Sequence, residues 1–344
     1  MKISVITTIY KAEADLPRLL ESMMAQQSPE LEFFLIDNGS PDRCGEICKE
    51  YACRDNRFVI CTLKDNIGYI RARNYGIENC TGDYIGFCDS DDYLEEGAYD
   101  RVVDIIHSTD CDLYITSYCT QRGNQKAICN MPFEPGLYEP GRIAFEILPS
   151  AFGPTSRRGM LGGFMWKQVF RRDIIIKNNI RFDESLKPLE DQIFNIDAIS
   201  KCNRIYVDNN VIYNYVVSTT SITGQISSSV DYDSSWKRIE ALYREKCLRT
   251  NDRGCIVASA NAAMNAIYSL ILQIVNTCNA SPLYCARIFR NIVDVEVLME
   301  IVKSANIYLS LQMCFVRTCL RLRLFVILFG VINGIHKLQG KNNK

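Results

Sequence analysis

The chain has 344 residues, with 39 Lys and Arg against 40 Asp and Glu and a formal net charge of −1. Apolar residues make up 47% and charged residues 23%, a globular balance that excludes wholesale disorder, while 19 Gly and 10 Pro exclude collagen-like and low-complexity chains. With only His107 and His336 in the chain, a multi-histidine zinc or non-haem iron site is excluded too.

At roughly 100–200 residues per domain, the length predicts two domains or one large one. Charge is unevenly spread. Residues 301–344 carry seven Lys or Arg and no acid, leaving 32 basic and 40 acidic groups in residues 1–300. A basic tail on an acidic body points the tail to a membrane surface or another anionic partner, and no nucleic-acid partner is expected. The sixteen cysteines form no CxxC and the chain is too long to need a disulfide scaffold. Reduced, mostly buried thiols of a cytoplasmic protein are predicted. The opening MKISVITTIY enters a strand-like segment directly, so no signal peptide is expected.

Ile3–Thr7 reads as a buried strand. Leu16, Leu19, Leu20, Met23 and Met24 follow at helical spacing, with Asp15 as the expected N-cap and Pro17 tolerated in the first turn. Strands are predicted at Phe33–Ile36, Phe58–Thr62, Tyr84–Cys88 and Leu113–Ser117. Helices are predicted at Cys44–Cys53, Ile70–Asn79 and Leu94–His107. Such alternation argues for βαβ units and a mostly parallel sheet, whose ligands bind outside the carboxyl ends of the strands. Thr8-Ile9-Tyr10, Asp37-Asn38-Gly39-Ser40, Asp65-Asn66 and Asp89-Ser90-Asp91-Asp92 each fall just after a predicted strand. Four polar clusters should therefore meet on one edge.

The strongest signal is the fourth cluster. Tyr84–Cys88 is followed at once by Asp89, Asp91 and Asp92, and clustered carboxylates repel and resist desolvation. A divalent cation resolves that conflict, since Mg²⁺ or Mn²⁺ takes oxygen ligands and typically uses one or two carboxylates plus substrate phosphates. The alternative is a solvated acidic turn with Asp92 capping the next helix.

Four segments carry a resemblance: SVITTIYKAEADLPRLLESMMAQ, FFLIDNGSPD, DNIGYIRARNYGIENCTGDYIGFCDSDDYL and FMWKQVFRRDIIIKNNIRFDESLKPLEDQIFN. In order and in combination, over roughly the first 220 residues, they resemble a family 2 glycosyltransferase of GT-A fold. The resemblance implies that Thr8 and Tyr10 meet the base and ribose of a nucleotide-sugar, and that Asp37 accepts a hydrogen bond from the base. A carboxylate acceptor suits the imide N–H of uracil or the N–H donors of guanine, and a UDP-sugar is favoured. Asn38 stands where the family often has a second Asp. Asn66, Gly68, Arg71, Ala72, Arg73, Asn74 and Gly76 match the family's Asn-x-Gly-x-x-x-Ala-Arg-Asn-x-Gly pattern, with Asn66 on the donor and Arg73 on a carboxylate or phosphate. Asp89 and Asp91 match its Asp-x-Asp, Asp91 being the better metal ligand, and Asp92 would face the acceptor sugar or cap a helix.

By the same resemblance, Asp191 is the general base of an in-line, inverting displacement and Glu190 a nearby orienter. Both also suit the first turn of a helix running through Phe194, Ile196 and Ile199. Trp166 would be an acceptor platform or a buried core residue. Relatives carry a basic residue near 216 or 217, where this chain has Val216 and Val217. Arg157, Arg158 or Lys167 would then take that role, or the metal would act without one. Tyr213–Val217 resembles the family's closing strand.

Beyond Asp231, Trp236–Arg249, Ile256–Val275 and Leu283–Ser304 show helical spacing. In 307–338 the apolar run Leu324–Ile335 is too short to span a bilayer, and with Arg317, Arg321 and Arg323 it reads as an interfacial helix on an anionic leaflet. The expected fold is α/β and GT-A-like (Rossmann-like). A mixed, mostly parallel sheet flanked by helices fills 1–225, with a nucleotide-sugar half at 1–120 and an acceptor half at 121–225. A helical region fills 226–344. The expected activity is metal-dependent sugar transfer to a glycan or lipid-linked glycan at the inner face of the cell membrane, as in surface or capsular polysaccharide synthesis. A homo-oligomer is allowed. The rivals are a protein or lipid acceptor, a nucleotidyltransferase, and a non-catalytic nucleotide-sugar-binding partner subunit. The nucleotidyltransferase is disfavoured because Thr8–Ala12 holds no glycine.

Overall fold

The computed structural model describes residues 1–155, 160–186, 190–217, 232–278, 281–305 and 311–332. The chain forms two compact units, Met1–Leu148 with Gly162–Ser221, and Pro149–Leu161 with Ile222–Lys344.

The first unit begins with β1 (Ile3–Ile9), α1 (Leu16–Met24), β2 (Leu31–Asn38), α2 (Cys44–Arg54), β3 (Phe58–Leu63), α3 (Tyr69–Asn79) and β4 (Tyr84–Phe87). These strands lie parallel in the order β3-β2-β1-β4, with Ile9 opposite Asp37 and Asp37 opposite Thr62. Their carboxyl ends therefore share one edge, as expected from the alternation. β2 is buried throughout because helices cover both faces of such a sheet. On one face α1 buries Leu16, Leu19, Leu20 and Met23. Each such side chain contributes roughly 1.5–3 kcal/mol on burial. On the other, α3 lies so close to β1 that a Cβ on Gly76 would sit 2.5 Å from Ile6 Cγ2.

Next come β5 (Tyr93–Leu94), α4 (Ala98–Thr109), β6 (Leu113–Arg122), β7 (Gln125–Cys129), β8 (Gly136–Tyr138), the short helical turn α5 (Pro140–Arg142), then α6 (Leu148–Phe152), which belongs to the second unit from Pro149 on, and, back in the first, β9 (Gln168–Arg171), α7 (Arg172–Lys177), α8 (Glu190–Ile199) and β10 (Ile205–Val216). They extend the sheet in the order β4-β9-β6-β10-β5, with β9 antiparallel to both neighbours and β10 parallel to β6. The fold is thus mixed α/β, parallel where the polar clusters gather.

Several expected boundaries differ. The helix placed at Leu94–His107 starts at Ala98, because Tyr93–Leu94 pairs with β10 and Gly97 turns the chain at φ 65°. The strand placed at Leu113–Ser117 runs on to Arg122 and folds back on β7 through Gly123 at φ 57°. Asp15 precedes α1 without capping it; its carboxylate accepts from Arg18 at 3.2 Å instead.

The second unit contains α9 (Tyr232–Cys247), α10 (Arg253–Cys278), α11 (Pro282–Ile292), α12 (Val295–Ser304), α13 (Leu311–Arg321) and α14 (325–332). The expected single helix Leu283–Ser304 is two, because Asp294 caps α12 by accepting from the Glu296 and Val297 amides. Arg253–Asn276 is long and apolar enough to cross a membrane, and 56% of its 18-residue apolar window is buried. Ala260, Ala263, Met264, Ile267, Ile271 and Ile274 lie in the core of this unit. The 307–338 segment is described only at 311–332; the rest of it lies outside the described residues, as do Arg157 and Arg158.

Candidate active site

The chain turns that follow β1 to β4 are stitched together at the sheet edge. After β1, the Lys11 amide donates to Ser40 Oγ at 2.8 Å, with Lys11 in the left-handed region at φ 54°. Asp37 is buried at the end of β2 and accepts from the Ser40 amide at 3.0 Å. Asn38 Nδ2 donates to Asn66 Oδ1 at 3.1 Å, and Asn66 Oδ1 also takes the Gly68 amide at 2.8 Å. Gly39 has φ 65°, and a Cβ there would meet the Asp65 backbone at 2.6 Å, so only glycine fits this turn. Tyr10 is exposed beside these turns, and Thr8 is half-buried at the end of β1.

Arg73 joins the fourth cluster to the first turn of α8. Its Nη2 donates to Asp89 Oδ1 at 2.8 Å and its Nη1 to Asp191 Oδ1 at 2.8 Å. The guanidinium is buried, while the two carboxylates are about a third exposed. A planar fork with fixed donor directions suits this bridging task. The neighbouring motif residues explain how the bridge is held. Asn74 takes the Phe182 amide at 3.0 Å and donates to the Phe182 carbonyl at 2.8 Å, tying α3 to the segment that leads into α8. Tyr69 donates to Glu190 Oε1. The other oxygen, Oε2, is buried and has no hydrogen-bond partner among the described residues.

The electrostatics separate the carboxylates. Asp191 is pushed up to about 6, chiefly by desolvation, with Arg73 pulling it down and Glu190 and Asp89 pushing it up. Asp91 is raised by desolvation and by Asp89. Asp92 is pushed up to about 8 by desolvation and then by Asp89. Asp92 neither caps α4 nor stands open to a sugar. It is 1% exposed, its Oδ2 accepts from Tyr213 Oη at 2.6 Å, and its Oδ1 accepts from the Val216 amide at 2.7 Å. Tyr213 Oη in turn accepts from the Asp89 amide at 3.0 Å, so one tyrosine fixes both ends of the acidic turn.

Trp166 is buried in an aromatic stack. Its ring lies 4.4 Å from Tyr213 at 6° and 5.0 Å from Phe164 at 22°. Its faces are thus occupied by protein, and Phe164 is the exposed member. Lys167 is 2% exposed, lies over the Tyr118 and Phe164 rings, and is lowered to about 7 by burial.

Among the described residues no group of three or more His, Cys, Asp or Glu is arranged to cage a metal. Mg²⁺ or Mn²⁺ does not need one, because one or two carboxylates and substrate phosphates suffice. Asp91 fits that demand. It is a partly enclosed acid raised by desolvation and then by the Asp89 carboxylate, and a cation would relieve both.

The motif pattern flagged Arg73, Asp89 and Asp191 but not Tyr69 or Tyr213. Tyr69 sits inside the quoted pattern, one position past Gly68. Tyr213 carries no local signal, because its role depends on β10 pairing with β5 and β6.

Residues 4–141 match the family profile described as Glycosyl transferase family 2. The chain is 27% identical over 221 residues to the uncharacterized glycosyltransferase EpsJ of Bacillus subtilis, spanning 64% of this chain and 62% of that one. The crystal structure of residues 1–349 of Staphylococcus aureus TarS in complex with UDP-GlcNAc matches with a TM-score of 0.70 at 18% identity, over 98% of this chain and 92% of that one. A mannosyltransferase from Pyrobaculum calidifontis, in complex with GDP-Man and Mn²⁺, matches with a TM-score of 0.52 at 14% identity, over 96% and 86%. At these identities the structural likeness is one of fold.

Proposed function

We propose, from the match of residues 4–141 to the family 2 glycosyltransferase profile, that this chain is a glycosyltransferase. It moves a sugar from a nucleoside diphosphate donor to a hydroxyl of a glycan or lipid-linked glycan, with inversion at the anomeric carbon. The observation that carries this reading is the single guanidinium of Arg73 held by Asp89 on one side and Asp191 on the other. A donor-side acid and a base-side acid are thereby kept one bridge apart.

The environments support a role for each residue. Asp37, Asn66, Thr8 and Tyr10 edge the donor pocket, and the carboxylate at Asp37 accepts from the imide N–H of UDP, the favoured nucleotide, as it would from the N–H donors of GDP. Asp191 takes the proton of the acceptor hydroxyl as that oxygen bonds to the anomeric carbon. The bond from that carbon to the diphosphate oxygen breaks, and its electron pair leaves with the nucleoside diphosphate. Asp91 and Asp89 would hold Mn²⁺ or Mg²⁺, which supplies countercharge for the leaving diphosphate. Glu190 stays beside the base, oriented by Tyr69. Phe164, rather than the enclosed Trp166, offers the open aromatic face near this site. The setting that fits is the cytoplasmic face of a membrane on which a surface polysaccharide grows.

Calorimetric titration with UDP, GDP, CDP and dTDP, each with and without Mn²⁺, tests the donor half. Binding of one nucleotide that depends on Mn²⁺ and is lost in Asp91→Ala is the expected result. Failure of all four to bind, with the chain folded, would sink the reading.

A further inference from the structure

The C-terminal unit carries an apolar surface that its own core does not explain. All eight residues of α14 are apolar or glycine. Phe325, Leu328, Phe329 and Ile332 turn inward, and the Phe325 and Phe329 rings pack 5.6 and 5.8 Å from Phe289 of α11. Val326, Ile327 and Val331 are left outside, where a helix on a water-facing surface would put polar residues. Alongside, α11 exposes Leu283 and Tyr284, with Leu283 67% exposed and Ile327 52%. Between the two helices lies a groove of about 640 Å³. A contiguous apolar patch of this kind marks an interaction site, whereas single exposed apolar residues do not.

The rim of the groove identifies what it meets. Arg287, Arg290 and Arg323 line it, and no acid does. All three are exposed, and none has an ion-pair partner among the described residues. Arg323 is held at the corner between α13 and α14 in the left-handed region at φ 57°, with its amide on the Leu320 carbonyl and the Leu324 amide on the Cys319 carbonyl. The sequence beyond α14 adds Lys337, Lys341 and Lys344 and no acid. A second copy docking here through a two-fold axis would set arginine against arginine with no counter-ion. An anionic lipid surface offers what the patch lacks on both counts. Phosphates meet the guanidinium groups, and the acyl boundary takes the apolar side chains.

We propose that the face formed by α11 and α14 docks on the surface of an anionic lipid bilayer, with Leu283, Val326 and Ile327 in the acyl boundary and Arg287, Arg290 and Arg323 at the lipid phosphates. α14 lies in the plane of the surface, because the apolar run that holds it, Leu324–Ile335, falls short of the roughly 20 residues a span needs. This inference does not rest on the transferase reading.

Co-sedimentation of the full chain with lipid vesicles tests it. One set is phosphatidylcholine alone and the other includes phosphatidylglycerol. The variants are Ile327→Asp and the pair Arg287→Glu with Arg290→Glu, all at exposed positions, with circular dichroism and thermal melting verifying the fold. The expected result is salt-sensitive binding to the anionic vesicles only, with a fall of about tenfold or more in partition coefficient for each variant at an unchanged melting temperature. Equal binding to neutral vesicles, or anionic binding that survives in both variants, overturns the proposal. So does a chain that binds neither set, including one that forms a dimer dissociated by Ile327→Asp.

Discussion

The most consequential single residue is Asp191, because its environment sets its usefulness as a base. Its carboxyl is pushed up to about 6. A base must be unprotonated to act, so transfer should rise about tenfold per pH unit below 6 and level off above it. A rate that is flat between about pH 5 and 7, with chemistry limiting, would remove Asp191 from that role. Asp191→Asn keeps the shape and still accepts from Arg73, yet takes up no proton. It should lose about 10²–10⁴ of the rate while UDP binds as before. Arg73 is a positioning residue with its own signature. Its charge holds the Asp191 carboxyl down against desolvation. In Arg73→Met the pH midpoint of transfer should therefore move above that of the wild type. A lower rate with an unmoved midpoint would mean that Arg73 serves only the fold.

At the scale of elements, the packing of α3 on β1 decides whether Arg73 reaches both acids. A Cβ on Gly76 would stand 2.5 Å from Ile6 Cγ2 and 3.0 Å from Ile36 Cδ1. Alanine is the better helix former by about 1 kcal/mol, but overpacking at such a contact costs about 1–3 kcal/mol. Gly76→Ala should lower the denaturation midpoint at an unchanged m value. A raised midpoint would mean that sheet and helix have room to part. Much of this layer was legible beforehand. Apolar runs and helical spacing located the first βαβ units, and the polar residues after each strand pointed to the shared edge. The misses have common causes. Apolar spacing continues across Val293 and Asp294, so a cap hidden in it did not register. β5 is two residues long, too short for any periodic signal. Trp166 read equally as platform or core, because what settles it is Tyr213 of β10, brought close only by the sheet. Asp92 was ambiguous for the same reason, since its partners Tyr213 and Val216 also come from β10.

For the whole molecule, the acidic turn that serves the site acts against the folded state as pH rises. Asp92 is pushed up to about 8 when folded, against roughly 3.9 in an unfolded chain. Between those values the native protein keeps a proton that the unfolded chain releases, so stability falls as pH climbs through the window and is flat outside it. Glu32 has the opposite sign. It is lowered to about 2: Lys2, Ser4 and Thr81 hydrogen-bond its carboxylate and outweigh the desolvation that would raise it. Its contribution is present above about pH 4 and lost as pH falls toward 2. A substitution isolates the first effect. In Asp92→Asn the amide can keep its oxygen toward the Val216 amide and donate to the Tyr213 oxygen, and it does not titrate. With metal chelated, melting temperatures of variant and wild type should be closest near pH 4 and shift in favour of the variant up to about pH 8. The shift amounts to a few kcal/mol at the top of the window, and each 1 kcal/mol moves the melting point of a domain this size by about 2–4 °C. A gap that stays constant over that range would mean that the Asp92 carboxyl ionises as readily in the folded protein as in water. The raised carboxyl of the acidic turn would then be Asp91 alone.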